Sequence, residues 1–192
     1  NTLARELQEF EPIEPGTVRM YACGPTVYQL PHIGNYRTFL FNDLLHRYLE
    51  WKGYDVTFVT NLTDVDDKTI AGALEQGVAL DEFTEPVIRG FFEDLDALGV
   101  RPADVYPRAT RYIDEMVALI SRLIEHGRAY VVDESVYFDI SSFPDYGKLS
   151  RIDLGEMRRG ERVAADEYEK DDVRDFALWK KAKDADREVG AV

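Results

Sequence analysis

A single cysteine, Cys23, stands among 192 residues, so no disulfide can form within the chain, and such scarcity fits a reducing, cytoplasmic setting. No stretch approaches the roughly 20 apolar residues of a membrane span, and the first residues show no basic-then-apolar leader pattern. Basic side chains are few beside acidic ones, 23 against 37, for a net charge of −14. That balance argues against a broad surface for gripping a phosphate backbone. Two small clusters, Arg108 with Arg111 and Arg158 with Arg159 and Arg162, leave room for local contact with an RNA end, although solvated surface charge is the plainer reading. Internal repeats and low-complexity tracts are absent. The hydrophobic share of 45% is enough for a globular core in one domain or two small ones. Asn1 rather than methionine stands first, and further residues are expected before it.

The richest stretch runs from Val18 to Lys68. A short apolar strand (Val18, Met20, Ala22) delivers Cys23 into the loop Gly24-Pro25-Thr26-Val27-Tyr28-Gln29-Leu30-Pro31-His32-Ile33-Gly34-Asn35. A helix follows, with Phe39, Leu40, Leu44, Leu45, Tyr48 and Leu49 expected on its apolar face and Gly53 at its C-terminal cap. A second strand, 54–60, opens into Asn61-Leu62-Thr63-Asp64-Val65-Asp66-Asp67-Lys68. Strand, glycine-bearing turn, helix and strand together place a helix N-terminus and strand ends at one edge of a parallel sheet. Anions bind there, because free N–H groups and the helix dipole favour negative charge.

Residues 1–17 read as an extended lead-in. Past Lys68 a helix through Ile70, Ala73 and Leu74 closes at Gly77, and another is expected from about Pro86 to Leu98, stopped by Gly99. Arg101-Pro102 and Tyr106-Pro107 then break regular structure and mark a boundary, giving domains 1–108 and 109–192. Beyond it, Ile113, Met116, Val117, Ile120, Leu123 and Ile124 trace a helical stripe ending at Gly127. Stretches 129–132 and 135–140 flank Asp133-Glu134 as a hairpin. The remainder, through Gly155, Gly160 and the acidic run Asp166 to Asp172, is loop-rich, with a short helix expected around Phe176 to Lys181.

Several side chains admit two readings. Cys23 at a strand end is either an inert small hydrophobe or a soft ligand. His32 and Asn35, three apart at a helix start, either serve one anionic group or are a helix N-cap asparagine and an incidental histidine. Asp64, Asp66 and Asp67 suggest a Mg²⁺ site, but acids at a helix N-terminus that help orient an ammonium group fit better. His46 and His126 fall on predicted helices without ligand partners and read as surface or helix-end residues.

His32-Ile33-Gly34-Asn35, Cys23-Gly24-Pro25-Thr26-Val27-Tyr28 before it and Asn61 to Lys68 behind it resemble the cysteinyl-tRNA synthetases, a branch of the class I aminoacyl-tRNA synthetases. Pro107-Arg108-Ala109-Thr110, Gly127-Arg128-Ala129-Tyr130, Tyr146-Gly147-Lys148-Leu149-Ser150 and Asp175-Phe176-Ala177-Leu178-Trp179-Lys180 follow in family order, so the likeness covers essentially the whole chain. It implies an α/β fold: the first half of a Rossmann-like nucleotide-binding domain, then an α+β connective insertion. The implied reaction of the intact protein is ATP-dependent activation of L-cysteine to cysteinyl-adenylate and transfer to tRNA(Cys), by a monomer. The present chain is expected to be inactive alone.

The resemblance also assigns roles. His32 and Asn35 contact ATP phosphates, with Mg²⁺ and a mobile lysine loop, and stabilise charge growing on the phosphate oxygens. Gly24 and Gly34 let backbone approach the nucleotide, Thr26 either caps or hydrogen-bonds phosphate, and Thr63 matches a position near the amino acid, with Asp64 next to it in the binding set. Cys23 is one ligand of a Zn²⁺ whose open position takes the substrate thiolate; zinc binds sulfur at about 2.3 Å and discriminates against a hard serine hydroxyl. The other zinc ligands of the family fall beyond the point matching Val192, so zinc is expected to bind this chain weakly or not at all. Two rivals remain: a cysteine-activating ligase with an amino-sugar acceptor in thiol cofactor biosynthesis, and a non-catalytic nucleotide-binding module.

Overall fold

A computed structural model describes residues 1–151 and 175–191. They form two compact units. Glu11–Ile113 and residues 182–191 make one; Asn1–Phe10 and the described part of Asp114–Lys181 make the other. Arg158, Arg159, Arg162, Gly155, Gly160 and the acidic run Asp166 to Asp172 lie outside the described residues.

The first unit is built on two parallel strands, β1 (Thr17–Ala22) and β2 (Asp55–Thr60), in register from Thr17 opposite Asp55 to Ala22 opposite Thr60. Parallel neighbours need a crossover, and helix α1 (Ile33–Trp51) supplies it. Gly53, at φ +91°, takes the left-handed conformation just past the end of α1, where glycine carries no Cβ penalty. The far edge of β2 is also paired. Thr60 N–H donates to the Val105 carbonyl (3.1 Å), Leu62 N–H to the Pro107 carbonyl (2.8 Å), and Ala109 N–H to the Leu62 carbonyl (3.0 Å). Residues 104–109 therefore run as a further parallel ribbon, and a division at 108 falls inside it. Pro107 reads as a breaker in the sequence, yet an edge ribbon needs donors only at alternate positions and tolerates it.

The α1 face named from periodicity is not the buried one. Phe39 and Leu49 are buried, but Leu40, Leu44, Leu45 and Tyr48 are exposed, and the inward face is Tyr36, Phe39, Asp43, His46 and Leu49. What lies beneath decides this: Tyr36 and Phe39 meet Phe91, and the His46 ring stands edge-on to Phe58 with centroids 5.3 Å apart. His46, expected at the surface, is therefore a core residue. Helix α2 (Asp67–Gln76) ends at Gly77 as expected. Helix α3 (Leu80–Ala97) starts six residues before Pro86, which sits inside it at the loss of one backbone hydrogen bond. Val27, Leu62, Ile88, Phe91, Leu95 and Val100 complete this core with Tyr36 and Phe39.

In the second unit, helix α4 (Ile113–Glu125, beginning at the unit boundary) precedes an antiparallel hairpin, β3 (Ala129–Val132) and β4 (Ser135–Phe138). Asp133 and Glu134 form its turn at φ 45° and 62°, the left-handed pair that a two-residue hairpin loop demands, and Lys181 bridges both carboxylates. The segment read as a final helix is instead a strand, β5 (Phe176–Trp179), paired with β4. The Phe176 ring stacks on Phe138 at 5.2 Å, and buried Asp175 accepts hydrogen bonds from Tyr130 Oη (2.6 Å) and Ile140 N–H (3.0 Å). A short helix, α5 (Asp184–Glu188), follows in the first unit. Leu80 N–H donates to the Val189 carbonyl (2.9 Å), and Val189 packs with Ala73 and Leu80, so residues 182–191 belong to the first unit.

Candidate functional site

Loop 23–35 and segment 61–64 leave the ends of β1 and β2 side by side and cross. Val27 N–H donates to the Thr63 carbonyl (3.1 Å) and Thr63 N–H to the Pro25 carbonyl (3.0 Å), which sets Thr26 opposite Thr63 as a one-residue parallel bridge. Fully buried Val27 anchors the loop, and Leu30 packs against α3 at Gly90, where a Cβ would lie 2.6 Å from Leu30 Cδ2.

At the crossing, the reason for Gly24 differs from the one expected. A Cβ there would stand 1.6 Å from the Asn61 carbonyl oxygen, so glycine is required by the approach of two backbones, whatever binds above them. Cys23, just before it, is exposed.

His32 and Asn35 form a reciprocal cap on α1. Gly34 N–H donates to His32 Nδ1 (3.0 Å), and His32 N–H donates to Asn35 Oδ1 (3.0 Å). The imidazole lies across Gly34, where a Cβ would meet His32 Cε1 at 2.7 Å. Because Nδ1 is the acceptor, the neutral ring carries its proton on Nε2; because Asn35 spends Oδ1, its Nδ2 keeps its donors. The N-cap is thus His32 and not Asn35, which stands three residues on, and the capping leaves each exposed side chain an N–H donor at the helix N-terminus.

Asp64 is almost wholly buried and both of its oxygens are taken by Thr110, one by the backbone N–H (2.9 Å) and the other by the hydroxyl (2.6 Å). It ties the 104–110 ribbon to the end of β2. Asp66 caps α2 by accepting from Lys68 N–H (2.8 Å), and Asp67 lies in the first turn, which matches the helix-terminus reading of these acids. Lys68 Nζ sits 4.7 Å from the centre of the Tyr28 ring, joining α2 to the loop. Arg108 is paired with Glu85 (2.8 Å), and its guanidinium holds that carboxyl below the usual range. His126 keeps its expected place at a helix end, with Nδ1 2.6 Å from the Arg122 carbonyl oxygen.

Among the described residues no three His, Cys, Asp or Glu side chains converge as a metal site. Cys23 offers one soft donor, and none of the described residues closes a coordination sphere around it. No helix among those residues is long and apolar enough to cross a membrane.

The Asn61 side chain makes three hydrogen bonds at the crossing, to Tyr21, Gly24 and Thr63, and sequence reasoning gave it no role. Its signals were its place at the end of β2 and at the head of the stretch Asn61 to Lys68.

A helix crossing between parallel strands, with its capped N-terminus beside both strand ends, defines a Rossmann-like α/β domain. The chain belongs to the family described as tRNA synthetases class I (C) catalytic domain, whose model matches residues 9–191. It is 52% identical over 189 residues to a cysteine–tRNA ligase of Chlamydia trachomatis serovar D, covering 98% of this chain and 39% of that protein. A cysteine–tRNA ligase of Methanosarcina mazei is 52% identical over 180 residues (94% and 38%), and one of Symbiobacterium thermophilum 53% over 186 (95% and 39%). The chain thus spans about two fifths of the length of these relatives. Among solved structures, Mycobacterium tuberculosis methionyl-tRNA synthetase in complex with methionyl-adenylate is similar in fold, with a TM-score of 0.52 at 18% identity over 64% of this chain and 28% of that one.

Proposed function

We propose that this chain supplies the phosphate-binding and thiol-facing part of a site that activates L-cysteine with ATP, and that the whole protein transfers the product to tRNA(Cys) as a cytoplasmic monomer. The observation that carries the reading is the His32–Asn35 cap, which leaves Nε2–H and Nδ2–H donors outward at the start of α1, on the loop that also carries Cys23. In the reaction the cysteine carboxylate attacks the α-phosphorus, a carboxyl–phosphate bond forms, and pyrophosphate leaves with the electron pair of the broken P–O bond. Charge rises on the α-phosphate oxygens as this happens. Donors fixed in advance by the cap stabilise that charge without having to reorganise, and neither side chain needs to become a nucleophile.

Thr26 and Gly34 line the phosphate side, and Cys23 and Thr63 the amino-acid side; Asp64 contributes by holding the ribbon at Thr110. Mg²⁺ would neutralise phosphate charge. Zinc would strengthen selection of a thiolate, but the donors present do not complete its site, and no step is routed through it.

The test is ATP titration of the ¹⁵N-labelled chain. Shifts are expected at Gly24, His32, Gly34 and Asn35, with affinity near the millimolar range, worth about 4 kcal/mol. His32→Ser keeps a good capping acceptor on a short side chain but carries no N–H donor at the reach of the imidazole, so it should weaken those shifts while α1 stays folded. Shifts confined to residues 110–192, or equal in the variant, would overturn the reading.

A further inference from the structure

Cys23 is bracketed by one side chain from the neighbouring strand. Asn61 Oδ1 accepts from Gly24 N–H (3.0 Å), immediately after the cysteine, and from Tyr21 Oη (2.9 Å), two residues before it. The other half of the same amide, Nδ2, donates to Thr63 Oγ1 (3.0 Å). The Asn61 carbonyl meanwhile packs where a Gly24 Cβ would be. A single carboxamide thus links three points: both flanks of Cys23 and the hydroxyl of Thr63.

We propose that Asn61 is a positioning residue that fixes Cys23 relative to Thr63 for recognition of the amino acid. This rests on the amino-acid side of the site as assigned above. The chemistry of the side chain explains the choice. Two donors arrive on one face and an acceptor waits on the other, and among neutral side chains of this length only a carboxamide offers an acceptor oxygen and donor N–H groups in one rigid plane. Aspartate would keep the first face and fail at the second; alanine would fail at both. Thr63 is held by this bond, since an oxygen that accepts from Nδ2 keeps its own O–H as a donor.

Asn61→Ala and Asn61→Asp in the same 192-residue chain separate the two faces. Amide exchange at Gly24 should accelerate about tenfold or more in the alanine variant and stay close to wild type in the aspartate variant, while Val56 and Phe58 on β2 keep their protection. The Thr63 side-chain shifts should move in both. Titration with L-cysteine under reducing conditions should shift Cys23 and Thr63 in wild type, with affinity down about threefold or more in Asn61→Ala. Should the alanine variant fail to fold, the aspartate variant decides: loss of Gly24 protection there overturns the proposal. So does Gly24 exchange within about twofold of wild type in Asn61→Ala. A wild-type response to L-cysteine that the alanine variant shares in full removes the positioning role and leaves the site reading standing. No response in wild type, with Gly24 behaving as expected, fails the amino-acid assignment and reduces Asn61 to a loop brace.

Discussion

Helices α1 and α4 carry opposite lessons about amphipathicity. The stripe of Ile113, Met116, Val117, Ile120, Leu123 and Ile124 makes α4 the easier helix to read, yet none of its residues is buried. α1 has apolar residues on nearly every side, and it buries five residues, two of them Asp43 and His46. A pattern states which residues tolerate burial; the elements that arrive against the helix select which ones are buried. Phe91 on α3 and Phe58 on β2 arrive against α1 along the line of Tyr36, Phe39, Asp43, His46 and Leu49. Leu40, Leu44 and Tyr48, equally apolar, stay outside that line.

The largest effect that would test this contrast comes from truncating one residue on each helix. Phe39→Ala empties space shared with Tyr36 and Phe91 and should cost about 3–5 kcal/mol in urea denaturation. Val117→Ala, in the clearer stripe but nearly half exposed, should stay within about 0.5 kcal/mol. Equal losses would mean that α4 is packed as tightly as α1.

A smaller effect concerns the polar part of the buried α1 face. Both Asp43 oxygens accept from Arg47 Nε (2.9 Å each), and Oδ1 also accepts from Arg101 N–H (3.3 Å), so the carboxylate ties α1 to the start of the 101–109 segment. Asp43→Ala should cost about 1–3 kcal/mol by leaving those donors unpaired. A change below that range, read from the same denaturation curves, would make the carboxylate incidental to the packing.

The same contrast explains what the sequence could tell. Strands β1 and β2, the hairpin, and the glycine stops at Gly53, Gly77 and Gly127 were legible because they depend on local chemistry. The start of α3 was not, because Pro86 looked like a beginning while burial of Leu80 and Thr84 carries the helix past it. Nor was β5: Phe176 to Trp179 fits either period, and pairing with β4 across more than thirty-five residues decided it. In the site, the loop and the His32–Asn35 pair were visible as a motif. Their mutual capping, the engagement of Asp64 by Thr110 and the reach of Asn61 to Gly24 all depend on distances between segments that sequence spacing does not encode.

The smallest expected effect lies on the rim of α1. Glu50 accepts from Arg101 Nη1 (2.7 Å), and that hydrogen bond, opposed by desolvation and helped by the Arg101 charge, holds its carboxyl below the ordinary range. A carboxyl depressed in the folded state binds fewer protons there than in the unfolded chain. Its contribution is therefore fully present above the unfolded value and is lost as pH falls through the folded one. The pair is open to solvent and screened by salt, so the effect on stability is slight and the titration itself is the better readout. A ¹³C titration of the Glu50 carboxyl should give a midpoint below the ordinary carboxylate value, and Arg101→Met should raise it toward that value. A Glu50 midpoint that Arg101→Met leaves unchanged would show that the ion pair on the rim of α1 carries no weight, and would confine the contrast between the two helices to their cores.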